Sequence, residues 1–125
     1  MEKTVIQEAH KNIPGIFYFS ETKTLEISGR SIPENPELIF KRLDEWMTSY
    51  FDKNQELSVN IILEYINSGS SKYLYEILKK LTTYSKSDKN VSMTWFYEED
   101  DDAMLELGEH YRDTAGIPLK VEMIV

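Results

Sequence analysis

Hydrophobic positions along this chain switch repeatedly between the alternation of a strand and the three-to-four spacing of a helix. The strongest stretch starts at Leu57. Leu57, Val59, Ile61, Leu63 and Tyr65 share one face at period two, and Ile62 and Ile66 add apolar area to the other. That pattern predicts a strand covered on both sides. It stops at Asn67-Ser68-Gly69-Ser70-Ser71. Beyond this turn, Tyr73, Leu74, Ile77, Leu78, Leu81 and Tyr84 recur at helical spacing, predicting a helix to about Lys86. A buried strand therefore delivers a cluster of small hydroxyl residues to the start of a helix.

The flanking sequence extends the same alternation. Residues 1–14 are polar apart from Val5, Ile6 and Ile13, and read as a loosely held N-terminal arm or a short edge strand. Ile16-Phe17-Tyr18-Phe19 and Thr24-Leu25-Glu26-Ile27-Ser28-Gly29 predict a hairpin turning at Ser20 to Lys23. Pro33 and Pro36 interrupt the pattern; Asn35 is a candidate helix cap and Pro36 suits the first helical position. Ile39, Leu43, Trp46, Met47 and Tyr50 then form one stripe, so a helix runs to about Asp52. Val91, Met93, Trp95 and Tyr97 alternate as a further strand. Met104, Leu107, Gly108, Tyr111 and Ala115 mark a shorter helix closed by Gly116, and residues 119–125 alternate as a last strand. The order ββαβαβαβ predicts a single α/β domain with right-handed crossovers, its helices on one face or on both.

Composition narrows the function classes. With 125 residues the chain has room for one core. A hydrophobic share of 41% supports a folded domain. A net charge of −8 argues against nucleic acid and anionic membranes as partners. There are no cysteines, which excludes disulfides, thiolate metal sites and a cysteine nucleophile. No apolar run approaches the roughly 20 residues of a membrane span, and the first residues lack the apolar core of a secretory signal. The expected location is cytoplasmic.

The turn at 67–71 carries the sharpest chemistry. The first N–H groups of a helix have no intrahelical partner, and Asn or Ser there accepts their hydrogen bonds. The same groups, with the helix dipole, favour an anion. A phosphate on Ser68 would be tolerated there and would add roughly −1.5 to −2 charge. On local pattern alone, capping explains these serines sufficiently.

Three segments together add a family resemblance: Gly29-Arg30-Ser31-Ile32-Pro33-Glu34-Asn35, Tyr65-Ile66-Asn67-Ser68-Gly69-Ser70-Ser71-Lys72, and the strand through Trp95 and Tyr97. Over about residues 15–125 the chain resembles the SiaC family of bacterial regulatory phosphoproteins, which are similar to the STAS domains of anti-sigma-factor antagonists. The resemblance implies a non-enzymatic partner switch without a cofactor. A GHKL-type kinase phosphorylates such proteins at a strand-to-helix turn, and a PPM-type phosphatase reverses it. The unphosphorylated form binds and activates a diguanylate cyclase, raising cyclic di-GMP and promoting biofilm or aggregation. By the same resemblance the phosphoacceptor is Ser68, with Ser70 and Ser71 as competitors. Partner contact is then expected from Pro33, Glu34, Asn35 and residues Asn67 to Lys72. The acidic balance of the chain would add like-charge repulsion once phosphate is present.

Two other functions compete: a constitutive interaction domain without phosphate control, and a small enzyme whose serine turn cradles a substrate phosphate. The second lacks a P-loop lysine spacing and a positioned His or Cys. The run Glu98-Glu99-Asp100-Asp101-Asp102 lacks the spacing of a calcium loop and reads as the acidic start of a helix. His10 and His110 are expected at the surface.

Overall fold

The computed structural model describes residues 2–124. Strand β1 (Lys3–Gln7) is followed by β2 (Gly15–Phe19), β3 (Thr24–Ser31), helix α1 (Pro36–Lys53), β4 (Glu56–Ile66), α2 (Ser68–Lys86), β5 (Asn90–Tyr97), α3 (Asp102–Asp113) and β6 (Leu119–Met123). The six strands form one sheet in chain order. β1, β2 and β3 are antiparallel neighbours; β3, β4, β5 and β6 are parallel. This is the expected α/β domain with one strand more. Of the two readings for residues 1–14, the edge strand is what Lys3–Gln7 forms, so the order is βββαβαβαβ.

The strand order decides how the helices lie. Each crossover from β3 to β6 steps one strand in the same direction. Right-handed crossovers that never reverse direction put every helix on the same face. Burial along the strands follows. Leu25, Ile27, Leu57, Val59, Ile61, Met93 and Trp95 are at most 2% exposed on the helix-covered face. Ser58, Asn60, Ile62 and Thr94, pointing the other way, are only half-buried. The two-sided burial expected of β4 is therefore corrected: its second face is open.

A second correction concerns the end of β4. Gly29 pairs with Leu63, but Arg30 pairs with Tyr65, so Glu64 is an extra residue in β4. Such a bulge reverses the inside–outside alternation beyond it. Tyr65 is thereby turned out, 48% exposed with the Arg30 guanidinium 5.5 Å from its ring centre, and Ile66 takes the core position. Gly29, on the neighbouring strand, adopts φ +90, a region open to glycine at little cost.

Helix α3 is seated on β5 through Trp95. The fully buried indole donates from Nε1 to the Met104 carbonyl (2.9 Å). Gly108 packs against the same ring so closely that a Cβ there would lie 2.5 Å from Trp95 Cδ1. Asp101 caps this helix by accepting from Met104 N–H (3.1 Å), which gives one member of the acidic run a structural role. No cluster of metal-ligating side chains occurs among the described residues.

Candidate functional site

The parallel strands end together, and their C-terminal ends carry the candidate site. β3 runs out at Ser31 opposite Ile66, and Asn67 N–H donates to the Ser31 carbonyl (3.0 Å). The loop holding Pro33, Glu34 and Asn35 and the turn starting at Asn67 thus leave the sheet side by side. In open parallel sheets this is the end where ligands and partners are met.

The turn is built by its own sequence. Asn67 is the N-cap of α2, and its side chain accepts from Ser70 N–H (2.8 Å). The Asn67 carbonyl accepts from Ser71 N–H (2.9 Å), the first intrahelical bond. Ser68 and Gly69 occupy the first two helical positions, where N–H groups have no intrahelical acceptor. A Cβ at Gly69 would meet only Asn67 Oδ1, at 3.8 Å, so the glycine is not required there for space.

The three serines of this turn differ sharply in environment. Ser68 is exposed, and no hydrogen bond engages its hydroxyl among the described residues. Ser70 is 0% exposed, with an Oγ that has no hydrogen-bond partner. Ser71 is half-buried and locked to α3: its Oγ lies 2.6 Å from the Tyr111 hydroxyl, which also donates to the Ser71 carbonyl at 3.0 Å. Tyr111 is itself 3% exposed. Burial pushes its phenol above the ordinary tyrosine value, opposed by the hydrogen bond with Ser71. The Tyr111 ring packs edge-on to Trp95 and parallel to Tyr75, so the latch between α2 and α3 is rigidly mounted.

Beside Ser68, α2 and α3 form an open groove of about 570 Å³, lined by Ser71, Lys72, Tyr75, Leu107 and His110 among others. Its ionisable side chains are Lys72, His110 and the tyrosines, with no carboxylate in the lining. Like-charge repulsion from the acidic balance of the chain was the expectation; the lining next to Ser68 itself holds a lysine and no carboxylate. His110 is exposed, as is His10. Pro33, Glu34 and Asn35 line a different depression with Asn12, Leu38 and Arg42, in which Leu38 is 54% exposed. Pro33, Glu34 and Asn35 thus line one hollow and Ser68, Ser71 and Lys72 another, while Asn67, Gly69 and the buried Ser70 line neither. Asn35 stands at the N-cap position of α1, with Pro36 inside the first turn, but its side chain makes no capping hydrogen bond. Its φ of −122 and ψ of 74 depart from the extended geometry that turns a cap side chain back toward the helix.

Tyr111, Tyr75, Leu107 and His110 were not legible as site residues. Tyr111 and Leu107 are recognisable as helix-face residues, but no local signal reports a hydroxyl contact 40 residues away.

The family model described as SiaC family regulatory phosphoprotein matches residues 7–124, so the likeness includes the end of β1 as well as the stretch from Gly15 onward. An uncharacterized protein of Pseudomonas aeruginosa strain UCBPP-PA14 is 27% identical over 99 residues, covering 78% of this chain and 79% of that protein. SiaC of Pseudomonas aeruginosa superposes with a TM-score of 0.85 at 24% identity, over 99% of this chain and 100% of that one. A chain in the crystal structure of diguanylate cyclase SiaD in complex with its activator SiaC, from the same organism, gives 0.84 at 25% identity, over 93% of this chain and 96% of that one. With the family model spanning nearly the whole chain and the fold shared, this chain belongs to the SiaC family of regulatory phosphoproteins.

Proposed function

We propose that this protein is a non-enzymatic partner switch whose control point is Ser68. In the unphosphorylated state the end of the sheet around Ser68 docks on a diguanylate cyclase and activates it. A GHKL-type kinase phosphorylates Ser68 and a PPM-type phosphatase restores it, so that cyclic di-GMP output and the aggregation it promotes follow the balance of the two. The setting is the bacterial cytoplasm; among the described residues no helix is long and apolar enough to cross a membrane.

The observation that carries this reading is the contrast among the serines. Ser68 alone of the three combines an exposed hydroxyl with freedom from internal hydrogen bonds; Ser70 is buried and Ser71 is held by Tyr111. The complex between SiaD and its activator SiaC supports a cyclase as the output partner. Phosphate at Ser68 sits where a helix N-terminus favours negative charge, typically by about 0.3–1 kcal/mol, so the fold accepts it. Lys72, one helical turn on, lines the same groove. An interface closed over that charge would have to desolvate it without a partner, at a cost of about 3–5 kcal/mol. That is a loss of two to three orders of magnitude or more in affinity.

The test is site mapping. The kinase acting on this protein is incubated with wild type, Ser68→Ala, Ser70→Ala and Ser71→Ala, and the phosphate is located by fragment mass spectrometry. The reading requires one phosphate on Ser68, lost only in Ser68→Ala. Phosphate on Ser71 with Ser68 unmodified would move the control point. No phosphate on any variant would favour a constitutive interaction domain.

A further inference from the structure

The sheet has two edges, and they differ. β1 is blunted by a register shift between Val5 and Gln7. β6 is regular: its pairing with β5 runs from Met93 opposite Leu119 to Tyr97 opposite Met123 without a shift. Ile124 N–H donates to the Tyr97 carbonyl (2.8 Å), which fixes the parity of the strand. The backbone groups of Lys120, Glu122 and Ile124 face β5, and those of Leu119, Val121 and Met123 face outward. Met123 is 45% and Ile124 41% exposed beside this edge. Lys120 and Glu122 are exposed on the open sheet face, and neither makes an ion pair among the described residues.

We propose that β6 pairs antiparallel with β6 of a second copy of this chain, about a two-fold axis at Val121, joining two sheets into one. The charges select the register. Centring the pair on Lys120 sets lysine against lysine, and centring it on Glu122 sets carboxylate against carboxylate. Centring it on Val121 sets Lys120 of each copy opposite Glu122 of the other. With Val121 facing outward, its N–H and carbonyl exchange hydrogen bonds with Val121 of the second copy. Lys120 and Glu122 then occupy the flanking non-hydrogen-bonded pairs, where opposed side chains are closest. Leu119 N–H already donates to Ile117 (2.8 Å), so the outer positions contribute Met123 N–H to the Leu119 carbonyl, in both directions. On the helix-covered face, Met123 gains the Leu119 side chain of the second copy as a neighbour. The contact is small beside the roughly 1,200 Å² of a stable interface, so the dimer forms at high protein concentration and dissociates on dilution. It does not depend on Ser68.

Sedimentation equilibrium over a concentration series up to about 1 mM tests this, that range suiting an interface of this size. Wild type self-associates into dimers. Glu122→Lys, which makes both cross-strand pairs repulsive, weakens association at least roughly tenfold. The charge swap Lys120→Glu with Glu122→Lys restores it. Val121→Pro removes an outward N–H, leaves the β5–β6 ladder its bonds, and abolishes the dimer while circular dichroism stays native. A wild type that is monomeric throughout, leaving the edge to a strand of some other protein, overturns the proposal. So does a Glu122→Lys protein that dimerises as well as wild type.

Discussion

Replacing Tyr111 by Phe isolates the latch that holds Ser71. The hydroxyl removed lies 2.6 Å from Ser71 Oγ and 3.0 Å from the Ser71 carbonyl. The ring itself keeps its contacts with Trp95 and Tyr75, at centroid distances of 5.5 and 6.1 Å. Two neutral hydrogen bonds, each worth about 1 kcal/mol net, are lost. Part of this returns, because a 3% exposed hydroxyl no longer has to be desolvated and Ser71, half-buried beside the groove, can bind water. The expected net cost is about 1 kcal/mol, with an upper bound of about 2. Urea unfolding followed by far-ultraviolet circular dichroism reads it as a lower midpoint at unchanged slope. A cycle with Ser71→Ala should return a coupling energy of about 0.5–1.5 kcal/mol, because the pair shares one contact. A Tyr111→Phe protein as stable as wild type, or additive with Ser71→Ala, would refute the latch. With it would go the argument that Ser71 is withheld from competition with Ser68.

Two further predictions follow from the packing and the buried phenols. Gly108→Ala should destabilise by about 1–3 kcal/mol despite alanine's better helix propensity, because its Cβ would lie 2.5 Å from an indole that cannot swing without leaving the Met104 carbonyl; Gly69→Ala, whose Cβ meets only Asn67 Oδ1 at an ordinary contact distance of 3.8 Å, should be neutral or stabilising by up to about 1 kcal/mol, and thermal unfolding compares the two. Burial is the main cause that raises both Tyr50 and Tyr111 above their ordinary 10.0, so the native state keeps protons that the unfolded chain releases; stability is fully present below pH 10, falls as pH rises from there through the native values, and the fall should be shallower in Tyr111→Phe when unfolding is measured between neutral and strongly alkaline pH.

The parts legible in the sequence are those governed by local pattern. β4 and α2 follow from a change of period across Asn67 to Ser71, and Asn67 caps α2 as its residue type requires. Trp95 and Gly108 were readable as facing the core, though not that one needs the other to be glycine. The errors have a common origin in contacts between distant segments. Tyr65 was assigned to the buried face because nothing in β4 itself announces the bulge at Glu64; the positive φ that accompanies it belongs to Gly29 on the neighbouring strand. The open face of the sheet follows from strand order, which the alternation of elements does not specify. Ser68, Ser70 and Ser71 are equivalent hydroxyls as a sequence and become inequivalent once packing buries Ser70 and α3 brings Tyr111 against Ser71.

In the proposed switch, charge at Ser68 decides partner binding without damaging the fold. A direct test is calorimetric titration of the diguanylate cyclase proposed as partner, using unphosphorylated protein, protein phosphorylated at Ser68, and Ser68→Ala. The expected result is equal affinity for the unphosphorylated protein and Ser68→Ala, at least a hundredfold weaker binding of the phosphorylated form by the buried-charge cost of about 3–5 kcal/mol, and unchanged or slightly raised thermal stability on phosphorylation. Equal binding by all three forms would contradict it. So would a phosphorylated protein that fails to bind only because it has unfolded.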